Sequence, residues 1–400
     1  MSRSHLEAIW RAGMEACLPE RLVPPHLPEP PPGRTIVLAL GKAAVPMARV
    51  VESLWAGPLS GLAVAPRGGE ASLERIELLG AAHPVPDESS VAAAERLLAL
   101  AQEAGPDDLV LVLLSGGASA LACLPGEGLT LAAKQALTTA LLRCGASVRE
   151  INCVRRHLSG FKGGRLALAA ALARLVTLAL SDVPGDAAAD IGSGPTAADP
   201  TTADEARAIL DRYRVDPPSA GWSETPREVP GDYRLIGSGR TALEAAGAEA
   251  RRLGYAVRLL ESEGEAREVG REHAALALAA PPGTALISGG ELTVTVRGPG
   301  RGGPNQEYAL AAALALTGAQ GISGLAADTD GIDGASHAAG AFFGCGAEGG
   351  DAALETNDSG SWFARNGGLF VTGPTGTNVS DLRVILTGSS KAESGANAGR

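Results

Sequence analysis

Aromatic side chains are scarce in this chain, at 3% of 400 residues, although hydrophobic residues make up 45%. A core with few rings has to be built from Ala, Leu, Val and Ile, so its layers are thin and its backbones approach closely. Cysteine is nearly as rare. Cys17, Cys123, Cys144, Cys153 and Cys345 are odd in number, lie far apart and form no C-x-x-C pair. That excludes a disulfide scaffold and reads as reduced thiols acting as structural filler. Histidines 5, 26, 83, 157, 273 and 337 show no metal-ligand spacing, so zinc is not expected. Positive charge is in deficit, with a formal net charge of −11 and a pI near 5.2. Neither nucleic acid nor an anionic membrane surface would gain counterion-release energy from such a chain, so neither is expected as a partner. No run reaches the roughly 18 apolar residues of a membrane span. MSRSHLEAIW also lacks an apolar core of signal-peptide length, so the expectation is a cytoplasmic protein.

What the chain has in quantity is glycine, 53 residues, and proline, 26. They punctuate an alternation of strands and helices. Leu6 to Leu18 reads as an amphipathic helix, and Pro19 to Gly33, with seven prolines, as an extended connector. Strands are predicted at Thr35–Leu40, Gly61–Ala65, Ile76–Leu79, Leu109–Leu114 and Arg174–Leu180, with helices between them at Lys42–Trp55, Ser89–Ala104 and Val148–Leu158. The Ser147-x-x-Glu150 capping box opens the last of these helices. A second alternating segment runs from Tyr233 through the helices Thr241–Leu253 and Ala266–Ala280. Strand–helix alternation at this spacing implies parallel pairing and an α/β sandwich. The length exceeds what one core organises, so two α/β domains are expected, over residues 1–232 and 233–388, followed by a disordered tail over 389–400.

In open α/β sheets ligands gather beyond the carboxyl ends of the strands, which directs attention to the loops there. Gly41-Lys42 joins an ammonium to a helix start. Ser115-Gly116-Gly117-Ala118-Ser119 lets a phosphate or another backbone come close. Ser181-Asp182 with Asp186 supplies carboxylates. Asp328, Asp330 and Asp333 form a D-x-D-x-x-D turn that is no EF-hand, because Ile332 falls where a ligand is needed. Thr372 to Asn378 places hydroxyls before the last strand. GPGRGGPNQEYAL, residues 298–310, couples a glycine-rich turn to Asn305, Gln306 and Glu307 at the mouth of an apolar helix, where free N–H groups favour anions. Arg155, Arg156, Lys162 and Arg165 cluster enough positive charge to hold an anionic small molecule. Gly237-Ser-Gly239-Arg-Thr-Ala242, with Glu261 at the end of the next strand, imitates a dinucleotide fingerprint.

With these loops assembled, the chain resembles the glycerate 2-kinase family, whose C-terminal part is called the MOFRL domain and whose members also carry the name hydroxypyruvate reductase. The resemblance rests on LALGKAAVPMA, HPVPDESS, VLLSGGASALACLP, INCVRRHLSGFKGGRLA, SDVPGDAAADIGSGPT, ISGGELTVTVRGPGRGGPNQEYAL, ADTDGIDGASHAAGA and TGPTGTNVSDLRVIL, which span residues 38 to 386. It implies an N-terminal Rossmann-like α/β/α sandwich, a C-terminal MOFRL-type α/β domain and an active site in the cleft between them. The implied reaction is ATP-dependent phosphorylation of D-glycerate at its 2-hydroxyl, with Mg2+. In the family an Arg commonly precedes Asn305 and an Asp stands at position 337, where this chain has Pro304 and His337. A phosphate contact from that Arg would therefore fall to Arg301 or Arg155.

Phosphoryl transfer chiefly needs cations, a held metal ion and a carboxylate to orient the attacking hydroxyl. The expected assignment gives Lys42 the transferring phosphoryl group and Asp182 the proton of the glycerate 2-hydroxyl. Arg155 and Lys162 pair with the glycerate carboxylate. Asp186 or the pair Asp328 and Asp330 holds Mg2+, and the nucleotide phosphates lie on Ser115, Gly116, Gly117, Ser119, Gly302, Gly303 and Asn305. His83 reads as a turn residue and His157 as a packed or capping histidine. A homodimer is the assembly considered. The alternatives are an NAD(P)H-dependent hydroxypyruvate reductase built on Gly237 to Ala242, and a module that binds a metabolite without turnover.

Overall fold

The computed structural model describes residues 3–68 and 72–388. The chain divides into two compact units: Pro19–Ile236, and the described parts of Met1–Leu18 and Gly237–Arg400.

The first unit is organised by a six-stranded sheet. Its strands are β1 (Thr35–Leu40), β2 (Leu59–Pro66), β3 (Glu77–Ala81), β4 (Leu109–Leu114), β5 (Arg174–Ser181) and β6 (Asp232–Ser238), in the order β3-β2-β1-β4-β5-β6. β1 pairs in parallel with β2 and β4, as do β2 with β3 and β4 with β5. β1 and β4 are buried along their whole length, as continuous apolar strands covered on both faces must be. In register, Leu40 lies beside Leu114 and Leu114 beside Ala179, so the carboxyl ends of the three central strands are level. The order is that of a Rossmann-type sheet, and its direction of winding reverses between β1 and β4.

Two local readings change. The connector after the first helix is not wholly extended, because Pro19–Leu22 is a helical turn and Pro24–His26 a 3-10 turn. Proline is tolerated in a first helical turn, where its missing N–H would be unpaired anyway, and here it begins turns instead of preventing them. The first unit runs to Ile236, four residues past the expected 232, and includes the stretch 217–232. There Thr225 donates to Asp199 at 3.0 Å and the Ser223 carbonyl accepts from Arg165.

The second unit contains β7 (Ala256–Glu261), β8 (Gly264–Glu265), β9 (Thr284–Gly289), β10 (Leu292–Thr293), β11 (Ile322–Asp328), β12 (Gly340–Phe343), β13 (Leu369–Phe370) and β14 (Asp381–Thr387). The main sheet runs β13-β12-β11-β14-β9-β7. Within it only β7 with β9 is parallel; β9–β14, β14–β11, β11–β12 and β12–β13 are antiparallel, in contrast to the parallel arrangement expected from strand–helix alternation. Helices Ala266–Ala279 and Pro304–Ala315 cover one face. Gly239–Arg252 and the first helix, Arg3–Ala16, cover the other. The first helix was expected in the N-terminal domain, but Leu6, Ile9 and Trp10 pack with Leu243, Ala246 and Leu382 of the second unit. Its apolar stripe announces burial without naming the partner. The expected tail over 389–400 lies outside the described residues.

Small residues set the spacing of these layers. A Cβ on Gly270 would stand 2.6 Å from the Tyr308 carbonyl oxygen of the neighbouring helix. Backbone cannot move aside as a side chain does, so Gly270→Val is expected to destabilise the protein by about 1–3 kcal/mol. A lowered denaturant midpoint with unchanged slope would show it; an unchanged midpoint would refute it.

Candidate active site

At the switch point of the first sheet, the loops after β1 and β4 are knitted together. Lys42 N–H donates to the Gly116 carbonyl at 2.8 Å, and Ala43 N–H donates to the buried Ser115 Oγ at 3.0 Å. Gly41 has φ 131°, and a Cβ there would fall 2.2 Å from Ser115 Oγ, so only glycine lets the two strand ends meet. Gly117, at φ 81°, turns the chain back into the short helix Ala118–Leu121. Among the described residues, the amides of Gly116, Gly117, Ala118 and Ser119 donate to no group. Successive unpaired N–H groups in such a turn form an anion-binding concavity. The side chains of Lys42 and His83 lie against it: a Cβ on Gly117 would be 3.3 Å from Lys42 Cγ and 3.1 Å from His83 Nε2. His83 thus sits beside the loop in the turn expected of it.

Beyond Ser119 lies a cavity of about 110 Å³, whose lining includes Ser119, Cys123, Lys134, Arg155 and Lys162 and no carboxylate. The Lys162 ammonium, 1% exposed, donates to the carbonyls of Ser119 and Ala122 at 2.8 and 2.7 Å, which ties down the far side of the loop. The Lys134 ammonium donates to the carbonyls of Arg155 and Leu158 at the end of helix Val148–His157. Arg155 has no hydrogen-bond or ion-pair partner for its guanidinium among the described residues. Burial, with the neighbouring cations adding to it, pushes Lys134 down to about 7 and Lys162 down to about 8. The Arg155 guanidinium is also lowered, by burial. Three cationic side chains without a counterion form a receptacle for a small anion.

A buried polar chain braces this wall. Ser119 Oγ and Ser193 Oγ are 2.7 Å apart, Ser193 donates to Asn152 Oδ1, and Asn152 and Arg156 both donate to Asp190. Arg156 also pairs with Asp199 at 2.8 Å. Burial raises the Asp199 carboxyl, but Thr201 and Arg156 outweigh it and hold it low. Arg156 is therefore committed to structure, unlike its neighbour Arg155. His157 is fully buried between the Ser223 carbonyl and Thr201 Oγ1, the packed histidine expected. Lys134, Asp190, Ser193 and Asp199 carried no signal in the sequence. Lys134 looks like any surface lysine of helix Leu131–Arg143, and only its position in the fold buries it.

Asp182 follows β5 directly and stands on the same sheet edge as Lys42, with β4 between their strands. Asp186 sits farther along that loop at φ 53°. Both are half-buried.

In the second unit the glycine-rich turn behaves differently from its reading. The Asp333 carboxylate accepts the amides of Asn305 and Gln306, each at 2.9 Å, so the N-terminus of helix Pro304–Ala315 is already filled by an anion from within the protein. Gly303 is a glycine because a Cβ would lie 2.4 Å from that carboxylate, and one on Gly302 would lie 2.5 Å from Ser359 Oγ. Asn305 is 1% exposed and spends its amide nitrogen on Asp333 and Asp381. Asn305 is thus held within the protein, and crowding accounts for glycine at 302 and 303. Burial, with Asp381 adding repulsion, pushes Asp333 up to about 7 against the pull of the helix amides. Glu307 is likewise internal, paired with Arg267 at 2.8 Å.

Asp328 and Asp330 sit at the carboxyl end of β11 in successive tight turns: Asp328 Oδ1 accepts the Asp330 amide and Asp330 Oδ1 accepts the Ile332 amide. Among the described residues no group of three or more His, Cys, Asp or Glu is placed to hold a metal ion. Two half-buried carboxylates on one loop still suit an ion that takes one or two protein ligands and completes its shell with water and phosphate, as Mg2+ does. The dinucleotide-like turn after Gly237 leaves β6, the last strand in the sheet order and remote from the switch point. Its Ser238 and Thr241 cap one another in a capping box, and a Cβ on Gly239 would lie 3.2 Å from the Val379 carbonyl oxygen. Helix start and close packing account for its sequence.

A doubly wound sheet with an open amide nest and a cation-lined cavity at its switch point defines an α/β protein built to hold a small anion. Residues 5–221 match the family described as a domain of unknown function, DUF4147, and residues 284–381 match the MOFRL family. The chain belongs to the glycerate 2-kinase family. It is 40% identical to the D-glycerate 2-kinase of Thermotoga maritima, over 94% of this chain and 96% of that protein. A protein of Agrobacterium vitis named provisionally as a hydroxypyruvate reductase is 46% identical, over 97% of this chain and 95% of the other. The crystal structure of the Thermotoga maritima glycerate kinase superposes with a TM-score of 0.85 at 37% identity, covering 96% of this chain and all of that one. No helix among the described residues is long and apolar enough to cross a membrane.

Proposed function

We propose that the protein is a glycerate 2-kinase that transfers the γ-phosphoryl group of ATP to the 2-hydroxyl of D-glycerate, giving 2-phosphoglycerate and ADP. The observation that carries this reading is the pairing, within one unit, of four unpartnered amides with a cavity lined by Lys134, Arg155 and Lys162. The glycerate carboxylate takes the cavity, where Arg155 offers a planar pair of donors and the two lysines add charge. The amides of Gly116 to Ser119 take phosphate oxygens, and Lys42 beside them meets the charge that builds on the transferring group. Asp182 orients the 2-hydroxyl and accepts its proton as the oxygen bonds to phosphorus and the bond to the ADP oxygen breaks. Asp186, in the same unit, would hold Mg2+, and the ion would supply charge neutralisation on the phosphates.

The kinase names of relatives at 36 and 40% identity support this reading over the reductase. So does the absence of a dinucleotide fingerprint after β1, where GKAAVPMA stands. Purified protein with D-glycerate, MgATP, enolase, pyruvate kinase and lactate dehydrogenase, without phosphoglycerate mutase, is expected to consume NADH, because that couple sees 2-phosphoglycerate only. A parallel well with hydroxypyruvate and NADH or NADPH is expected to stay silent. Signal in the second well alone would transfer the assignment to the reductase.

A further inference from the structure

Three successive residues, Gly192, Ser193 and Gly194, stand in the left-handed region at φ 59°, 61° and 59°. Glycine enters that region freely but serine does not, so Ser193 is held there at a cost that its surroundings must offset. It is fully buried, in a turn seated behind the amide nest. A Cβ on Gly192 would lie 3.0 Å from Ala118 Cβ and 3.1 Å from Leu114 Cδ1.

Ser193 is bonded to both anion-holding elements of the first unit. Its carbonyl accepts the N–H of Gly163, the residue after Lys162, at 3.1 Å, and the Gly194 carbonyl accepts the Gly164 N–H at 2.7 Å. Its hydroxyl donates to Asn152 Oδ1 at 3.1 Å, and Asn152 in turn donates to Asp190. A hydroxyl has one proton, so in the 2.7 Å contact with Ser119 it is Ser119 that donates and Ser193 that accepts. Ser119 closes the nest, and its carbonyl takes the Lys162 ammonium at 2.8 Å. The nest and the cation-lined cavity therefore share one join, and Ser193 is the side chain that makes it.

We propose that Ser193 is a positioning residue that fixes which hydroxyl of glycerate is phosphorylated, an assignment that rests on the kinase reading. The cavity grips the carboxylate and the nest sets the transferring group. The distance between the two grips then decides which oxygen meets phosphorus: that of the 2-hydroxyl, or that of the 3-hydroxyl, one carbon farther from the carboxylate. A misplacement of about 1 Å costs about 10²-fold at a reacting centre, so a loosened join slows transfer to the 2-oxygen and lets the 3-oxygen compete. In the competing event the 3-oxygen bonds to phosphorus, the bond to the ADP oxygen breaks, and the hydroxyl proton passes to Asp182, as it does for the 2-oxygen.

Phosphorus NMR of the products formed by the full chain from D-glycerate and MgATP reads the choice directly. A phosphate on the C2 methine is split into a doublet, and one on the C3 methylene into a triplet. The wild type is expected to give 2-phosphoglycerate with less than about one part in a hundred of the 3-isomer. Ser193→Ala is expected to turn over about 10²-fold more slowly and to place about one part in ten at the 3-position. That ratio does not depend on how much of the variant folds, so a merely structural role would not move it. Ser119→Ala removes the same contact from its half-buried end and should give the same ratio, and the double variant no more than either alone. A wild type that forms no phosphoglycerate would end the kinase reading and this assignment with it. A wild type that forms 2-phosphoglycerate, beside Ser193→Ala and Ser119→Ala variants with its product ratio, would end this assignment alone.

Discussion

Lys42→Ala is expected to turn over roughly 10²–10³-fold more slowly than the wild-type enzyme at saturating D-glycerate and MgATP, the loss seen when one preorganised donor to a developing charge is deleted. The side chain lies against Gly117, in a loop whose amides face a phosphate-sized concavity, and its own backbone N–H is fixed to Gly116. A cation held there costs no reorganisation as charge gathers on the transferring group. Because the role is confined to the transition state, kcat and kcat/KM should fall together. Asp182→Asn should lose about 10²–10⁴-fold by removing the proton acceptor while keeping its shape. Steady-state kinetics beside a thermal melt decides the matter: near wild-type turnover in both variants, with folding intact, would remove these residues from the chemistry.

Arg155→Ala is expected to raise KM for D-glycerate by about 10- to 150-fold, the range of one or two charged hydrogen bonds, with a smaller change in KM for ATP. Its guanidinium is the one cation of the cavity not already engaged, whereas Lys134 and Lys162 each hold two carbonyls. The lysines should make themselves felt through pH. Burial brings them down to about 7 and about 8, so both are charged below pH 7 and both are neutral above pH 9. KM for glycerate should therefore rise as pH increases through that window, and a bound carboxylate should in turn hold the lysines protonated. An Arg155 variant that keeps this pH dependence but loses affinity would separate the two contributions. A KM flat from pH 6.5 to 9 in the wild type would show that the lysines only brace the walls.

How far the sequence foretold this structure varied with the range of the interactions. β1 and β4 were legible to the residue because a short apolar run between glycines and charges is a complete local signal. The Ser147 to Glu150 capping box was legible for the same reason. The carboxyl-end loops follow from those strands, which is why Lys42, Ser115 to Ser119 and Asp182 were legible as strand-end residues. What failed depended on distant partners. The start of helix Pro304–Ala315 looked like an open anion site because nothing nearby in sequence reveals that Asp333 accepts the amides of Asn305 and Gln306. Lys134 looked like a surface residue because its burial is decided by helix Val148–His157 and the loop after β4. The antiparallel majority of the second sheet escaped for a similar reason, since alternation of strands and helices does not by itself fix strand direction.

The first helix has a consequence for how the protein is made. Leu6, Ile9 and Trp10 leave the ribosome about 370 residues before part of their cover, Leu382 and Val384, is synthesised. The whole first unit is read out in between, so in genetic terms it is an insertion into the second. At ordinary elongation rates of about 5–20 residues per second, that apolar stripe waits tens of seconds for its partners. A nascent chain can complete its first unit while the segment ahead of it still exposes a greasy helix, which makes that helix a natural handle for a chaperone.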